Sequence, residues 1–464
     1  MSQNIPRSLC SVCIANRRAA LLLSAVALSI FAGVAHGETP PQTPSATTSN
    51  RMQLTLQQAL KIALDQNPRV QQSLLALAES GDDRRAAASA LMPTVTAQAF
   101  GQRAKNNLDA FIGNPTVNGP LVVGPFNWGQ VGLEARISLF DLSLWKKWRA
   151  SEHAEVSARA KGRAVREEIA ALVVGQYLLA LRAAASVQAG ESRVGLADAL
   201  SKLAENQQKQ GVGTKLDTLR SQLQLQTERQ RLIQAQTQQI RALAGLSRLL
   251  SLEPGTPVEL TDTLAAPALP AAGFQDAYQT GLAQRPELAE LDARAKAAEN
   301  LRQAAQGMQL PTVFATGAYG STGLQSQGWP NTYQISLGIR VPLFTGGLVS
   351  SQVSRAKSEQ ALVHEAQRDV RAQVGYEIQV AQAELDAAAH EVEVANLSVS
   401  LSTEALTQAR HRFEAGVSNN IELINAQDEL ARANDNQISA LYRLNQSRAD
   451  LARATGQLEA LFAR

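Results

Sequence analysis

No proline occurs between Pro125 and Pro254, or anywhere after Pro342, and both tracts are rich in Ala, Gln, Glu, Arg and Leu. Strong helix formers that run on without a breaker predict helices of unusual length. The pattern places one over 143–210 and another over 350–414, each roughly 100 Å long at 1.5 Å per residue. That exceeds the diameter of an ordinary domain, so other elements must pack along these rods. Ile378, Ala381, Leu385, Ala388, Val392, Ala395 and Val399 step by three and four, the spacing of a coiled-coil seam in which small alanines permit close approach. Gly162, Gly175, Gly190 and Gly195 weaken the first rod locally.

The order of features occurs twice. Asn67-Pro68 recurs as Arg285-Pro286 and Leu91-Met92-Pro93-Thr94-Val95 as Gln309-Leu310-Pro311-Thr312-Val313, at one shared offset. Ser138-Leu139-Phe140 then matches Pro342-Leu343-Phe344, Gly211-Val212 matches Gly416-Val417, and Leu246-Ser247-Arg248 matches Leu451-Ala452-Arg453 at shorter offsets, the lost residues falling in a loop between Gln102 and Trp128. A period of about 200 residues is far longer than a solenoid unit and implies duplication of a helix-strand-strand-helix module. The expected organisation is a first repeat over 54–253, a Pro-rich linker over 254–273 and a second repeat over 274–464. Segments 286–309 and 421–460 together match the length of 350–414, and 68–91 with 216–252 come close to that of 143–210, so two shorter helices stack end to end beside each rod. Pro68 and Pro286 suit first-turn positions, and Pro93 and Pro311 end the ascending helices before strands.

Each repeat carries two strand signals. Val131, Leu133, Ala135, Ile137 and Leu139 alternate with Gln130, Gly132, Glu134, Arg136 and Ser138, and Ile335, Leu337, Ile339, Val341 and Leu343 alternate with Gln334, Ser336, Gly338, Arg340 and Pro342. The preceding segments, 94–102 and 312–320, alternate less cleanly. Strands of about ten residues cross a bilayer when tilted, and Trp128, Tyr319, Trp329 and Tyr333 lie at or beyond their ends, as in an interfacial aromatic girdle. The other reading of alternation is a soluble sandwich with one buried face. Four strands cannot close into a membrane barrel, whose smallest examples have about eight. The chain must therefore oligomerise if it enters a membrane, and three copies give twelve strands and twelve helical columns.

Export is legible at the start. Arg7, Arg17 and Arg18 precede an apolar run from Ala19 to Ala35 with no acidic residue, the pattern of a signal segment over 1–37 with cleavage near Gly37-Glu38, followed by an N-terminal linker over 38–53. The 464-residue chain has 44 Lys and Arg against 41 Asp and Glu; three of the basic residues lie in the signal, so the mature chain is neutral. Neutrality and 4% aromatic residues argue against a nucleic-acid partner. Cys10 and Cys13 also lie in the signal, which leaves no disulfide, thiolate metal site or cysteine nucleophile. No later stretch is expected to approach the ~20 apolar residues of a transmembrane helix. His153, His364, His390 and His411 are isolated, no His-Glu-x-x-His or Gly-x-Ser-x-Gly occurs, and Gly211-Val-Gly-Thr-Lys215 joins two helices without the order of a phosphate loop. No enzyme, metal or cofactor is expected.

From Leu54 to Ala460 the sequence resembles the TolC-type outer-membrane efflux protein family. The resemblance rests on the opening Leu54-Thr-Leu-Gln-Gln-Ala59-Leu60 with Asn67-Pro68, both Leu-Phe strand ends, Gly346-Gly347 and the turns at Gly211 and Gly416. It implies a mainly α fold with membrane β: a homotrimer with a 12-stranded barrel in outer-membrane lipid and an α-helical barrel in the periplasm. It further implies a periplasmic adaptor and an inner-membrane transporter docked at the far tip. The tip turns read Lys209-Gln-Gly-Val-Gly-Thr-Lys-Leu-Asp217 and Glu414-Ala-Gly-Val-Ser-Asn-Asn-Ile-Glu422. Gly211, Val212, Gly213, Thr214, Gly416 and Val417 are the expected adaptor-docking tip. Apolar pairs Leu216/Leu219 and Ile421/Ile424 continue a helix seam after each turn.

Aligned on their glycines, Asp217 and Glu422 match aspartates of the best-known family member, and Glu422 and Asn425 occupy two positions that form stacked carboxylate rings there. Asn425 leaves one ring, and Phe413 and Ser418 replace a tyrosine and an arginine that help hold the archetype closed. The expectation is a gate closed mainly by apolar coiling with a weaker polar lock. Three clustered carboxylates raise one another's proton affinity and attract cations; the plainer reading of Glu422 is a solvated helix-face residue. Glu134, Arg136 and Arg340 are expected to face the barrel lumen, where arginines favour anions or form strand salt bridges. The leading reading is a passive export duct for small molecules (drugs, toxic compounds or metals); the alternatives are the outer-membrane component of type I protein secretion and, in a different class, an exported coiled-coil scaffold.

Overall fold

A computed structural model describes residues 52–107, 122–266, 273–324, 328–415, 417–418 and 420–462. The expected signal segment, most of the N-terminal linker, part of the 254–273 linker and Gly416 lie outside the described residues.

The chain runs β1 (Met52–Leu54), α1 (Leu56–Gln66), α2 (Pro68–Ser89), β2 (Thr94–Asn107), β3 (Val122–Phe140), α3 (Leu142–Lys209) and α4 (Lys215–Leu249). It continues as β4 (Val258–Leu260), α5 (Phe274–Gln284), α6 (Pro286–Gly307), β5 (Thr312–Leu324), β6 (Asn331–Arg340), α7 (Leu348–Glu414), α8 (Asn420–Ala454) and α9 (Leu458–Phe462). The rods α3 and α7 contain 68 and 67 residues. Proline opens both α2 and α6 at the first turn, where its missing N–H costs nothing.

Helices pack as the lengths require. Towards the tip the columns adjoin in the order α4, α3, α8, α7; towards the sheet the order is α2, α3, α6, α7. One lateral edge is thus α2 above α4, and the other is α7. Ile378, Ala381, Leu385, Ala388, Val392 and Ala395 are buried on α7 against α5, α6 and α8, whereas Val399 is half-buried. The four long strands form one antiparallel sheet in the order β2-β3-β5-β6, with free edges β2 and β6.

Four expectations need correction. First, the strands of the first hairpin run further, to Asn107 and from Val122, because the polar segment Arg103–Asn107 continues the ladder; backbone pairing needs no apolar alternation. Second, the helix expected over 421–460 stops at Ala454. Gly456, at φ +71°, turns the chain into α9, and a Cβ there would lie 3.1 Å from the Arg285 amide nitrogen. Third, α3 does contain a stretch long and apolar enough by composition to cross a membrane, around 169–187. Its Ile169, Ala170, Val173, Val174, Tyr177, Leu178 and Leu181 instead build the main core with α1, the end of α4 and the short parallel pair β1–β4. The buried Tyr177 hydroxyl lies 2.9 Å from the Leu54 carbonyl and 2.8 Å from Asp262 Oδ2; burial, then Asp262, pushes the phenol's pKa up. This middle layer was invisible in the repeat pattern. Fourth, Trp128 is not part of an apolar girdle, as the face assignment below shows.

Candidate gate and channel lining

The first tip turn is fixed by glycine and a capping box. After Lys209 the chain reverses at Gly211 (φ +77°), where the amides of Val212 and Gly213 both donate to the Gln207 carbonyl at 3.0 Å. Thr214 Oγ1 accepts from the Asp217 amide at 3.2 Å, while Asp217 Oδ2 accepts from the Thr214 amide (3.3 Å) and hydroxyl (2.5 Å). Asp217 therefore directs its carboxylate into its own turn.

The second tip turn repeats one of these bonds and then diverges. The Val417 amide donates to the Arg412 carbonyl at 3.0 Å, and α8 begins at Asn420. Asn420 is buried; its Nδ2 donates to the Asp217 carbonyl at 2.9 Å and to Ser221 Oγ at 2.8 Å. This side chain ties the two hairpins together, and sequence reasoning missed it because an asparagine after a turn looks like a local cap. Phe413 is buried with Leu200, Ala409, Leu423 and Ala426. Ser418 Oγ is buried without a hydrogen-bond partner among the described residues. Glu422 is exposed and pairs with Arg412 at 3.2 Å, and the exposed Asn425 lies three residues on along α8. Val212 and Val417 project from the tip.

The apolar pairs do not continue the seam within the chain. Leu216 and Leu219 are exposed, and Ile421 is exposed beside a half-buried Ile424. Instead α4 turns Thr218, Ser221 and Leu225 inward, with Thr218 Oγ1 donating to Gln208 Oε1 at 2.7 Å. The α8 contribution comes from Leu423 and Ala426. The α4 leucines belong to an outward stripe with Leu223, Ile233 and Ile240, all at three-four spacing or its multiples. On the opposite edge α7 exposes Leu362, Val394, Leu397 and Leu401.

Above the tip, buried Glu228 of α4 accepts from Arg231 NH1 at 2.5 Å and lies 3.5 Å from Arg193 Nε of α3. Arg193 NH1 also donates to Asp435 Oδ1 of α8 at 2.8 Å. Three helices share this network, so no local spacing could have announced it.

In the sheet, register sorts the side chains into two faces. Thr94, Arg136 and Thr316 form one row, Thr96, Glu134 and Ala318 the next, and Arg340 pairs with Thr312 on the same face. The opposite face carries Val95, Val131, Leu133, Tyr319, Tyr333, Ile335, Leu337 and Ile339, all exposed. The Arg340 guanidinium lies 5.2 Å from the Phe314 ring centroid. Trp128, even-numbered in β3, is on the face of Glu134 and Arg136 and meets Phe100 edge-on at 5.0 Å. Only Tyr319, Tyr333 and Trp329, which reaches Gly129, accompany the apolar face.

An exposed apolar sheet face joined to rods of this length decides the class, and residues 59–251 and 277–457 match the outer membrane efflux protein family. The chain belongs to that family. That family is one of outer-membrane proteins. The chain is 28% identical to protein CyaE of Bordetella pertussis over 67% of this chain and 66% of that protein. It is 24% identical to the alkaline protease secretion protein AprF of Pseudomonas aeruginosa over 69% of this chain and 66% of AprF. Just under two thirds of each of these relatives is therefore spanned. The solved outer-membrane channel OprN shares the fold with a TM-score of 0.76 at 20% identity, covering 87% of this chain and 90% of OprN.

Proposed function

We propose that three copies of this efflux protein close head to tail into a passive duct, through which small molecules leave after delivery by an inner-membrane transporter and a periplasmic adaptor. The observation that carries this reading is the pair of matched open edges. Sheet edge β2 follows the α2/α4 helical edge, and sheet edge β6 leads into α7, so one operation joins both strands and both exposed apolar stripes. Within the ring, the face of Glu134, Arg136 and Arg340 lines the lumen and the opposite face meets lipid.

The gate reading follows from the same ring. Phe413 and Leu423 supply the apolar closure, Asn420 the polar tie between hairpins, and Glu422 with Arg412 a charge-balanced rim rather than a bare carboxylate ring. Asp217, Ser418 and Asn425 flank that rim, and the Gly211–Thr214 and Gly416–Val417 turns present the adaptor-docking tip. We place the mature repeats within 54–253 and 274–464, after a cleaved 1–37 signal.

A second reading, protein secretion, is favoured by the name of AprF. Electron microscopy of the detergent-purified chain, with bilayer conductance, tests the duct: threefold tubes that conduct support it, and soluble non-conducting rods overturn it. Deleting the gene then separates cargoes, because drug hypersensitivity marks the small-molecule duct and retention of an otherwise exported protein marks the second reading.

A further inference from the structure

The two junctions between sheet and rod differ in a way the fold does not require. After β6 the chain reads Val341-Pro-Leu-Phe-Thr-Gly-Gly-Leu-Val-Ser-Ser351, without a cation or an indole. From the last two residues of β3 it reads Leu139-Phe-Asp-Leu-Ser-Leu-Trp-Lys-Lys-Trp-Arg149. Both rods start and pack, so the cluster Trp145 to Arg149 is not a condition of folding. In the first rod that condition is met by Ser143 and Ala150, which are buried; a Cβ on Gly307 of α6 would lie 3.1 Å from the Ser143 amide nitrogen.

The cluster is organised. The Arg149 guanidinium lies 5.2 Å from the Trp145 ring centroid and 5.1 Å from that of Trp148, and Lys146 Nζ lies 4.9 Å from Trp145. Arg149 also pairs with Glu152 at 2.9 Å, and Asp141 accepts from the Leu144 amide. Lys146 and Lys147 join no ion pair among the described residues. Trp145, Lys147 and Arg149 are exposed.

Depth identifies the partner. On the apolar face of β6, Tyr333, Ile335, Leu337 and Ile339 alternate, and past the strand's end at Arg340 the apolar residues Val341, Leu343 and Phe344 stay exposed, the last two at 92% and 90%. About ten residues at 3.3 Å each, tilted near 40°, span roughly 25 Å, the height of a barrel's apolar band. The band thus ends at Leu343-Phe344, matched in the first repeat by Leu139-Phe140. Trp145 lies about five helical residues further, roughly 5–8 Å on, which is the thickness of one headgroup layer. Indoles favour that boundary, and cations there favour anionic lipid.

Resting on the outer-membrane reading above, we propose that Trp145, Lys146, Lys147, Trp148 and Arg149 form a collar that binds anionic phospholipid headgroups of the periplasmic leaflet. Three copies place three collars around the duct, one at every second sheet–rod junction.

The test uses the mature trimer carrying Trp128→Phe and Trp329→Phe, which leaves Trp145 and Trp148 as fluorophores. It is reconstituted in vesicles in which either phosphatidylglycerol or phosphatidylcholine carries brominated chains, at equal mole fractions. The expected result is quenching that reports roughly fivefold enrichment of phosphatidylglycerol per unpaired lysine, falling towards parity in Lys146→Gln/Lys147→Gln. Equal quenching by both lipids overturns the proposal. So does no quenching in trimers that conduct, which places the indoles in the lumen or under a neighbouring copy while the channel reading stands. Chains that neither insert nor conduct overturn the channel reading and the collar with it.

Discussion

Asn67 and Arg285 occupy the same position in the two repeats, directly before the proline that opens α2 or α6, yet they hold that corner by different chemistry. Asn67 Oδ1 accepts from the Arg69 amide at 2.9 Å, and its Nδ2 donates to the Leu249 carbonyl at 2.9 Å, so a neutral side chain caps one helix and ties down another. Arg285 makes no side-chain cap; it is buried between Glu287 and Glu377 and crosses to α7 as an ion pair. The tips diverge in the same manner, with Thr214 and Asp217 boxing the first turn and Asn420 reaching across from the second. A duplicated backbone retains a dihedral requirement such as the proline that opens α2 and α6, while each copy meets its hydrogen-bonding needs with whatever neighbours it has.

The ionic corner should be the more fragile. Arg285→Met leaves Glu377 and Glu287 without their cation and should cost about 3 kcal/mol, towards the lower end for breaking a buried pair because the carboxylates keep some solvent; a chemical denaturation midpoint measures it. The pH dependence has a definite sign. Burial alone would raise the Glu377 pKa, but hydrogen bonds from Gln373 and Arg285 outweigh it, and the net pKa is lowered. A depressed carboxylate stabilises the fold above its unfolded value of 4.5, and that contribution is lost as pH falls through the lower folded value. Thermal melts of the native chain and Arg285→Met should therefore converge below that window; parallel curves at all pH values would sink the ionic account.

Asn67→Ala should cost less, about 1–2 kcal/mol for a lost cap and an orphaned carbonyl, with no dependence on pH. A loss as large and as pH-sensitive as that of Arg285→Met would erase the contrast between the corners. At the tip, Asn420→Ala unties the hairpins at a cost of about 1 kcal/mol but should raise basal conductance of the closed duct in bilayer recordings; unchanged conductance would remove Asn420 from the gate. Glu422→Gln is expected to have the smallest effect, within ~0.5 kcal/mol, because its pairing with Arg412 is exposed. It should only modestly weaken block by multivalent cations. Strong relief of block would restore the bare carboxylate ring and argue against charge balance by Arg412.

Residue order alone determined the rods, the duplicated module and the four strands. These follow from local rules: absence of proline and periods of two and of three to four. It also located Gly211 at the first tip turn, because a left-handed turn between long helices leaves little choice but glycine. Only the tertiary structure decided which side of each element meets what. Leu216 and Leu219 have the right spacing for the internal seam, but α4 presents Thr218 and Ser221 there, and a register choice between two faces of one helix is invisible in one chain's sequence. Trp128 fell on the polar face for a similar reason, since a single residue's parity matters more than its place at a strand end. The Asn420 tie, the Glu228 network and the Tyr177 core join segments far apart in sequence. Their energies arise from proximity that folding creates, and no pattern of period or spacing encodes that proximity.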